Sequence, residues 1–359
     1  MTYTKIQDLR EFLSLSPADE AELERILTDY PMRIPEYYLK LIDFSNEKDP
    51  VRLMSIPALH ETDTDGSFDT SGEQSNTKLP GLQHKYRESV MILSTNQCAM
   101  YCRHCFRKRL VGLPSEEVAA HLPEIAEYVR LHPEISNVLI SGGDSLMNST
   151  PLIRRYLELF TDIEHLDFIR FGSRVPVVYP QRISEDPALL DLFSEFGKRK
   201  QLVVVTQFNH PNEFTPEARR TLRLLAERGV VLRNQTVLMR DINADPDTLS
   251  ALLRGLTAMG VLPYYIFQCR PVVGVKNRFQ VPIRNGIRIV EEAKSRQNGF
   301  GKSFKYCMSH VTGKIELLGE TDGRVYMKYH EAKDTSLYGR LFSMTLPQDL
   351  CWLPDKLDI

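Results

Sequence analysis

The sequence predicts an α/β protein in which six β/α units curve into a partial barrel, with a helical extension before it and a small β-hairpin after it. Short apolar runs rich in β-branched residues alternate with amphipathic stretches after Tyr86. Apolar residues have helical spacing between Ile6 and Asn46. Near the C-terminus, Asp322-Gly323 separates two alternating segments, which is a strong hairpin signal.

Residues 1–85 are predicted to form the helical extension and a connecting loop. Ser16 and Pro17 have the chemistry of a helix N-cap and first turn. From His60 to Gly81 the chain is rich in Gly, Ser, Thr and Asp, which is typical of a long loop.

Residues 86–300 contain six predicted strands and six predicted helices in alternation. The strands are Val90–Ser94, Val138–Ser141, Phe168–Phe171, Leu202–Gln207, Val230–Val237 and Pro263–Cys269. The helices are Glu116–Leu131, Thr150–Thr161, Pro187–Gly197, Pro216–Arg228, Pro246–Met259 and Ile283–Arg296. Six units predict a partial (β/α)6 barrel of the TIM type, with functional residues at the C-terminal ends of the strands. Residues 301–359 form a C-terminal segment with the hairpin at Lys314–His330.

Bulk composition excludes some partners and identifies none. The chain has 45 Lys+Arg and 47 Asp+Glu, a formal charge of −2, so no global field attracts nucleic acid or an acidic membrane. No apolar run reaches the roughly 18 residues of a membrane-spanning helix. The first residues lack the long apolar core of a secretory signal, so we expect a cytoplasmic protein.

Three of the six cysteines lie close together directly after the first predicted strand, at Cys98, Cys102 and Cys105. Three thiolates on a loop at the barrel mouth can hold three irons of a [4Fe–4S] cluster and leave the fourth open to another ligand. A zinc site, which usually takes a fourth protein ligand, and chance clustering of buried thiols are the alternatives.

The CxxxCxxC spacing after a first barrel strand resembles the signature of the radical S-adenosylmethionine (SAM) superfamily, and longer stretches resemble the lysine 2,3-aminomutase family. These stretches are Thr95–Arg109, Val138–Asp144, Gly172–Ile183, Phe208–Glu213, Asn234–Asn243 and Tyr264–Cys269. The resemblance implies an enzyme that cleaves SAM at the cluster and abstracts hydrogen with a 5′-deoxyadenosyl radical. It also implies an electron donor such as flavodoxin or ferredoxin, while the sequence leaves a homo-oligomer open.

The resemblance further implies which residues bind SAM. Gly142, Gly143 and Asp144 would contact its amino group, with glycine allowing close approach of the main chain. The implied ribose and carboxylate contacts are Ser173, Arg174, Gln207, His210 and Gln235. The alternatives are an ordinary βα turn at the glycines and polar side chains that satisfy loop main chain.

Lys314 stands where the family has the lysine that binds pyridoxal 5′-phosphate (PLP), but the glycine run before it has become Ser309–Gly313. The two arginines that hold the PLP phosphate in the family are here Lys85 and Ser89. A lysine binds phosphate without the guanidinium fork, and serine offers only a hydroxyl. PLP binding therefore stays open, the alternative for Lys314 being an exposed strand lysine.

The implied substrate contacts also differ from those of lysine aminomutase. Arg107 matches the arginine that binds the substrate α-carboxylate. Arg270 and Cys307 replace the two aspartates that bind the lysine ammonium, so the charge is inverted and a carboxylate is favoured. The alternative for Arg270 is a structural arginine paired elsewhere. The family's C-terminal zinc motif is absent, since the tail contains only Cys351.

Three functions follow from these residues. The first is a PLP-dependent 2,3-aminomutase, with Lys314 as catalytic residue and an amino acid other than lysine as substrate. The second is a PLP-independent radical SAM enzyme that oxidises, eliminates or epimerises a small acidic amino acid or metabolite. The third is a non-catalytic iron–sulfur or zinc protein.

Overall fold

One twelve-stranded sheet organises the computed structural model, which describes residues 1–357. The strands of these residues are β1 (Thr2–Tyr3), β2 (Ile34–Pro35), β3 (Thr77–Leu79), β4 (Leu82–Tyr86), β5 (Ser89–Leu93), β6 (Asn137–Ser141), β7 (Phe168–Gly172), β8 (Gln201–Thr206), β9 (Val231–Leu238), β10 (Leu262–Gln268), β11 (Lys305–His310), β12 (Gly313–Thr321), β13 (Arg324–Ala332) and β14 (Leu341–Met344). β1 and β2 form a separate antiparallel pair, and β3 to β14 lie side by side in chain order.

The helices connect or flank these strands. They are α1 (Pro17–Asp29), α2 (Glu36–Leu39), α3 (Pro50–Ser55), α4 (Glu73–Asn76), α5 (Leu122–Arg130), α6 (Thr150–Phe160), α7 (Val175–Val178), α8 (Gln181–Ser184), α9 (Pro187–Gly197), α10 (Pro216–Glu227), α11 (Pro246–Ala258), α12 (Lys276–Phe279) and α13 (Ile283–Ser295). Six of them start in the same way: a capping side chain accepts a hydrogen bond from the third helical N–H, and a proline occupies the first turn. The capping residues are Ser16, Asp49, Ser149, Asp186, Thr215 and Asp245.

The centre of the sheet is parallel from β5 to β11, and helices connect its strands, so the predicted α/β partial barrel is confirmed. The six predicted strands match β5 to β10 within one residue at each end. β11 adds a seventh parallel strand that the sequence reading did not include. Residues that point outward, such as Val138 and Ile140, are fully buried against the helices.

Five of the six predicted barrel helices also match within one residue, whereas α5 begins at Leu122 and not at Glu116. The main-chain N–H of Ala119 donates to the carbonyl of Leu93 (2.8 Å), so this segment lies across the end of β5 before the helix starts. The N-cap at Ser16 is confirmed, since its hydroxyl accepts from the N–H of Asp19 (3.1 Å).

The predicted hairpin is formed by β12 and β13, with positive φ angles at Asp322 and Gly323 in the turn. It continues the main sheet, because β12 pairs antiparallel with β11 and β14 extends the other side. On the opposite side, β3 and β4 precede β5 in antiparallel order. The sheet is continuous across both predicted segment boundaries, and the division at residues 85 and 300 stays a prediction. None of the helices in residues 1–357 combines the length and apolar character needed to cross a bilayer.

Candidate active site

The loop after β5 is held by the glycine turn after β6. The N–H of Gly143 donates to Thr95 O (2.5 Å), and the N–H of Asp144 donates to Gln97 O (2.8 Å). A Cβ on Gly142 would lie 2.4 Å from Thr95 O, and one on Gly143 would lie 2.4 Å from Gln97 O. Gly142 also has a φ of +108°, so both glycines are required by close packing of two main chains.

Cys98, Cys102 and Cys105 lie on this loop as free, partly buried thiols. Burial raises the pKa of Cys98 above its usual value and that of Cys105 to about 11. Arg174 Nη1 donates to Cys102 Sγ (2.7 Å), and the main-chain N–H of Arg107 donates to Cys105 Sγ (3.3 Å). N–H donors directed at the sulfurs, on a loop with three thiols, fit the ligand set of an iron–sulfur cluster.

In residues 1–357, no three His, Cys, Asp or Glu side chains are grouped so that they could hold one metal ion. A [4Fe–4S] cluster does not need such a group, because each thiolate binds its own iron.

Three predicted SAM contacts meet beside the cysteines. Asp144 Oδ1 accepts from Ser173 Oγ (2.5 Å), and Asp144 Oδ2 accepts from the main-chain N–H of Arg174 (2.7 Å). All three residues are buried, and burial raises the pKa of Asp144.

Of the other predicted SAM contacts, Gln207 and His210 follow β8, whereas Gln235 lies within β9. The carbonyl of Gln207 accepts from Arg174 Nε (3.1 Å), and its side chain approaches His104 Nε2 (3.4 Å). His210 Nδ1 accepts from the N–H of Asn212 (3.1 Å), as a cap of a short 3₁₀ turn. Gln235 pairs in register with Tyr265 of β10.

The N-terminal extension supplies two buried partners that sequence reasoning missed. Tyr38 donates from its hydroxyl to Glu213 Oε1 (2.7 Å), which also accepts from Arg174 Nη2 (2.5 Å). Glu213 is the last residue of the Phe208–Glu213 stretch that resembles the family, so the sequence could have indicated it. Its partner Tyr38 lies 175 residues away.

The second missed partner is Glu61, which is fully buried. It accepts from Arg103 Nη2 (2.5 Å) and Lys108 Nζ (2.6 Å), which flank Cys105 in the sequence. Arg103 also donates to the carbonyls of Tyr30 and Pro31. This carboxylate therefore fixes the cysteine loop to the N-terminal extension.

Arg107 is not a free cation. Its Nη1 donates to Gly142 O (3.3 Å), its Nη2 contacts Met91 Sδ (2.8 Å), and its Nε lies 3.3 Å from Glu73 Oε1. Glu73 is on α4, within the segment predicted as a loop, and nothing in that segment's composition marked it.

Arg270 has a different environment. Its guanidinium lies 4.1 Å from the ring centroid of Phe106, and Arg107 lies 4.5 Å from the same ring. Arg270 Nη2 donates to Ser309 Oγ (3.0 Å), and no carboxylate within residues 1–357 forms an ion pair with Arg270. Burial lowers the pKa of Arg270, with a smaller contribution from the charge of Arg107, while the nearby carboxylate of Glu73 opposes the shift. No acid pairs with Arg270 in the described residues, and a structural role through Ser309 and Phe106 stays the alternative to substrate binding.

Lys314 is ion-paired with Glu331 and is only 12% exposed, so the alternative of an exposed strand lysine is wrong. Its ammonium lies 4.4 Å from the ring centroid of Tyr265 on β10 and 5.3 Å from that of Tyr86 on β4. Tyr265 in turn shares a hydrogen bond with His330 Nε2 (2.7 Å).

The residues at the two phosphate positions have other partners. Lys85 Nζ donates to the carbonyls of His310 (2.6 Å) and Ser71 (3.1 Å). Ser89 Oγ donates to Asn137 Oδ1 (3.1 Å) and accepts from Arg170 Nη2 (2.8 Å). As arranged, these donors do not form a phosphate cradle, so the residues present do not fit the PLP phosphate.

A three-cysteine loop at the C-terminal end of the first parallel strand of a partial barrel, held by a glycine turn from the second, defines the class: the chain is a radical SAM enzyme. No family model matches the chain. A protein of Aquifex aeolicus provisionally named L-lysine 2,3-aminomutase is 39% identical over 356 residues, 99% of this chain and 95% of that protein. The L-lysine 2,3-aminomutase of Acetoanaerobium sticklandii is 38% identical over 299 residues, 82% of this chain and 70% of that protein.

The glutamate 2,3-aminomutase of Clostridioides difficile is 34% identical over 299 residues, 82% of this chain and 69% of that protein. The chain therefore belongs to the lysine 2,3-aminomutase family, which implies a [4Fe–4S] cluster and SAM as cofactors. A radical SAM methyltransferase structure from Sphaerobacter thermophilus has a TM-score of 0.37 and 14% identity, covering 63% of this chain and 68% of that one, a likeness too low to carry an argument.

Proposed function

We propose that this enzyme abstracts hydrogen from an amino acid other than lysine whose side chain carries a negative charge. The observation that carries the proposal is Arg270, a partly buried guanidinium with Ser309 as hydrogen-bond partner and no paired carboxylate in residues 1–357. An unpaired cation in a desolvated site attracts an anion and repels the ammonium of lysine. The relative in Clostridioides difficile is a glutamate 2,3-aminomutase, which supports the same substrate class.

In this proposal Cys98, Cys102 and Cys105 hold the cluster. Gly142 to Asp144, with Ser173, Arg174, Gln207, His210 and Gln235, bind SAM. When bound, the cluster and SAM supply a 5′-deoxyadenosyl radical after one-electron reduction, for which a flavodoxin or ferredoxin is the proposed donor.

Arg270 orients the side-chain anion of the substrate, and Arg107 takes its α-carboxylate. The second contact requires the substrate carboxylate to compete with Glu73 for Arg107. Phe106 lies against both guanidiniums. A substrate with two carboxylates pairs with both cations, whereas one with a neutral side chain pairs with Arg107 alone.

The proposal leaves two reactions, a PLP-dependent 2,3-amino migration and a PLP-independent reaction as the second candidate. The PLP-independent reaction is favoured by the ion pair of Lys314 with Glu331 and by the main-chain partners of Lys85. Anaerobic incubation with PLP, borohydride reduction and peptide mass spectrometry distinguishes the two. A stoichiometric pyridoxyl group on Lys314, absent in Lys314→Ala, assigns the PLP-dependent mutase. SAM cleavage without an adduct assigns the second candidate.

Substrate charge is tested by formation of 5′-deoxyadenosine with deuterated glutamate or lysine. We expect deuterium transfer from glutamate in the native enzyme and in Arg278→Gln, whose arginine pairs with Asp241 outside the barrel. Arg270→Gln should reduce this transfer at least about tenfold, a loss of about 1.4 kcal/mol of binding or more. Lysine turnover by the native enzyme would refute the proposal.

A further inference from the structure

Arg174 is held at four points, and one of them is a cysteine sulfur. Its Nη1 donates to Cys102 Sγ (2.7 Å) and its Nε donates to Gln207 O (3.1 Å). Its Nη2 donates to Glu213 Oε1 (2.5 Å) and lies 3.3 Å from the hydroxyl of Tyr38. The side chain is 7% exposed, so its orientation is set by these partners and not by solvent.

Glu213 is itself fixed from the other side. Its Oε2 accepts from the main-chain N–H groups of Asn209 (2.6 Å) and His210 (3.0 Å), and its Oε1 accepts from Tyr38 (2.7 Å). The carboxylate is fully buried. The ion pair therefore has its negative end anchored in the loop after β8 and its positive end directed at Cys102.

The three cysteine sulfurs differ in the hydrogen-bond donors that they accept from. In the described part of the chain, Cys105 accepts a neutral main-chain N–H, from Arg107 (3.3 Å), while Cys102 accepts the charged donor. Hydrogen bonds to cysteine sulfurs and nearby charge are among the factors that set the reduction potential of an iron–sulfur cluster.

We propose that Arg174 raises the reduction potential of the cluster through its hydrogen bond to Cys102, with Glu213 and Tyr38 as positioning residues. One-electron reduction makes the cluster more negative by one charge, which a cation at one of its sulfurs stabilises. This role is separate from contact with SAM and operates before SAM binds. The inference rests on the proposed cluster on Cys98, Cys102 and Cys105.

The experiment is a dye-mediated redox titration of the reconstituted full chain without SAM, followed by electron paramagnetic resonance. We expect a lower midpoint potential in Arg174→Gln than in the native protein, with Arg174→Lys between them. Arg182→Gln is the matched control, since Arg182 pairs with Asp186 and the substitution removes the same charge from the neighbouring helix. The control should keep the native potential.

Equal potentials in the native protein and both Arg174 variants would overturn the inference. So would an equal fall in Arg182→Gln, because the effect would then be net charge and not the bond to sulfur. If Arg174→Gln binds no iron, the midpoint potential of Arg174→Lys is compared with that of the native protein, and equal potentials overturn the inference. A native protein without a reducible cluster would instead contradict the proposed function.

Discussion

Lys85 donates a hydrogen bond from its ammonium to the main-chain carbonyl of His310 (2.6 Å), across 225 residues of sequence. Lys85 is on β4, next to the first parallel strand, and His310 ends β11, the last parallel strand, so the bond joins the two edges of the parallel region. Burial, with the nearby charges of Arg270, Lys314 and Lys333, lowers the pKa of Lys85 to about 7. A lysine that the resemblance assigns to a phosphate instead closes the barrel.

Lys85→Met tests the role of this hydrogen bond through the pH dependence of the free energy of unfolding. Between a native pKa of about 7 and the ordinary 10.5, the unfolded chain binds more protons, so Lys85 adds stability as pH rises through this window. We expect the free energy of unfolding of the native protein, relative to Lys85→Met, to increase in urea titrations as pH rises from about 7 towards 10.5. Lys78→Met on exposed β3 is the control, and the same pH trend there would contradict the assignment.

Glu61→Gln should destabilise the fold, because it leaves Arg103 and Lys108 buried without a counter-charge. Breaking such a pair costs about 3–5 kcal/mol in unfolding free energy. Burial alone would raise the pKa of Glu61, but Arg103 and Lys108 outweigh it and lower the pKa to about 2. The contribution of the pair is thus present above pH 4.5 and is lost as pH falls towards 2.

The measurement for Glu61 is denaturant unfolding at neutral and acid pH. Glu22→Gln removes an exposed helix ion pair with Arg25 and should change stability by less than about 1 kcal/mol. Equal losses of unfolding free energy in Glu61→Gln and Glu22→Gln would show that the buried network does not anchor the cysteine loop.

Gly143→Ala should weaken the cysteine loop. Its Cβ would lie 2.4 Å from Gln97 O, so the main chain before Cys98 must move, at a cost of about 1–3 kcal/mol. We expect less bound iron after anaerobic reconstitution, measured by iron analysis and visible absorbance. Gly319→Ala on β12, where a Cβ meets no atom within 4 Å, should bind iron like the native protein. Full iron binding by Gly143→Ala would contradict this packing argument.

Single replacement of Cys98, Cys102 or Cys105 by alanine should abolish reductive cleavage of SAM, because the cluster then lacks one of its three protein ligands. Cys351→Ala, in the C-terminal tail, should leave cleavage unchanged. Methionine and 5′-deoxyadenosine are measured after reduction with dithionite. Cleavage that persists in any of the first three variants argues against the cluster assignment.

The strands and helices of the barrel could be predicted because their signals are local. Ser149, Asp186, Thr215 and Asp245 each cap a helix within three residues of their own position. The exception, α5, fails for a non-local reason, since Ala119 bonds to the end of β5 and delays the helix start. β11 was missed because its Lys305 and Ser309 interrupt the apolar pattern on the side that faces the barrel.

The sequence by itself determined the cysteine loop, the glycine turn and the order of the β/α units, because each depends on residues close together in the chain. Only the tertiary structure decided which charges are paired: Arg107 with Glu73, Lys314 with Glu331, and Arg270 with no carboxylate in residues 1–357. The physical reason is that an ion pair depends on distance in space, and spacing in sequence does not encode that distance for residues on different strands. The partners of Arg107, Arg270 and Lys314 are therefore tertiary properties of this protein.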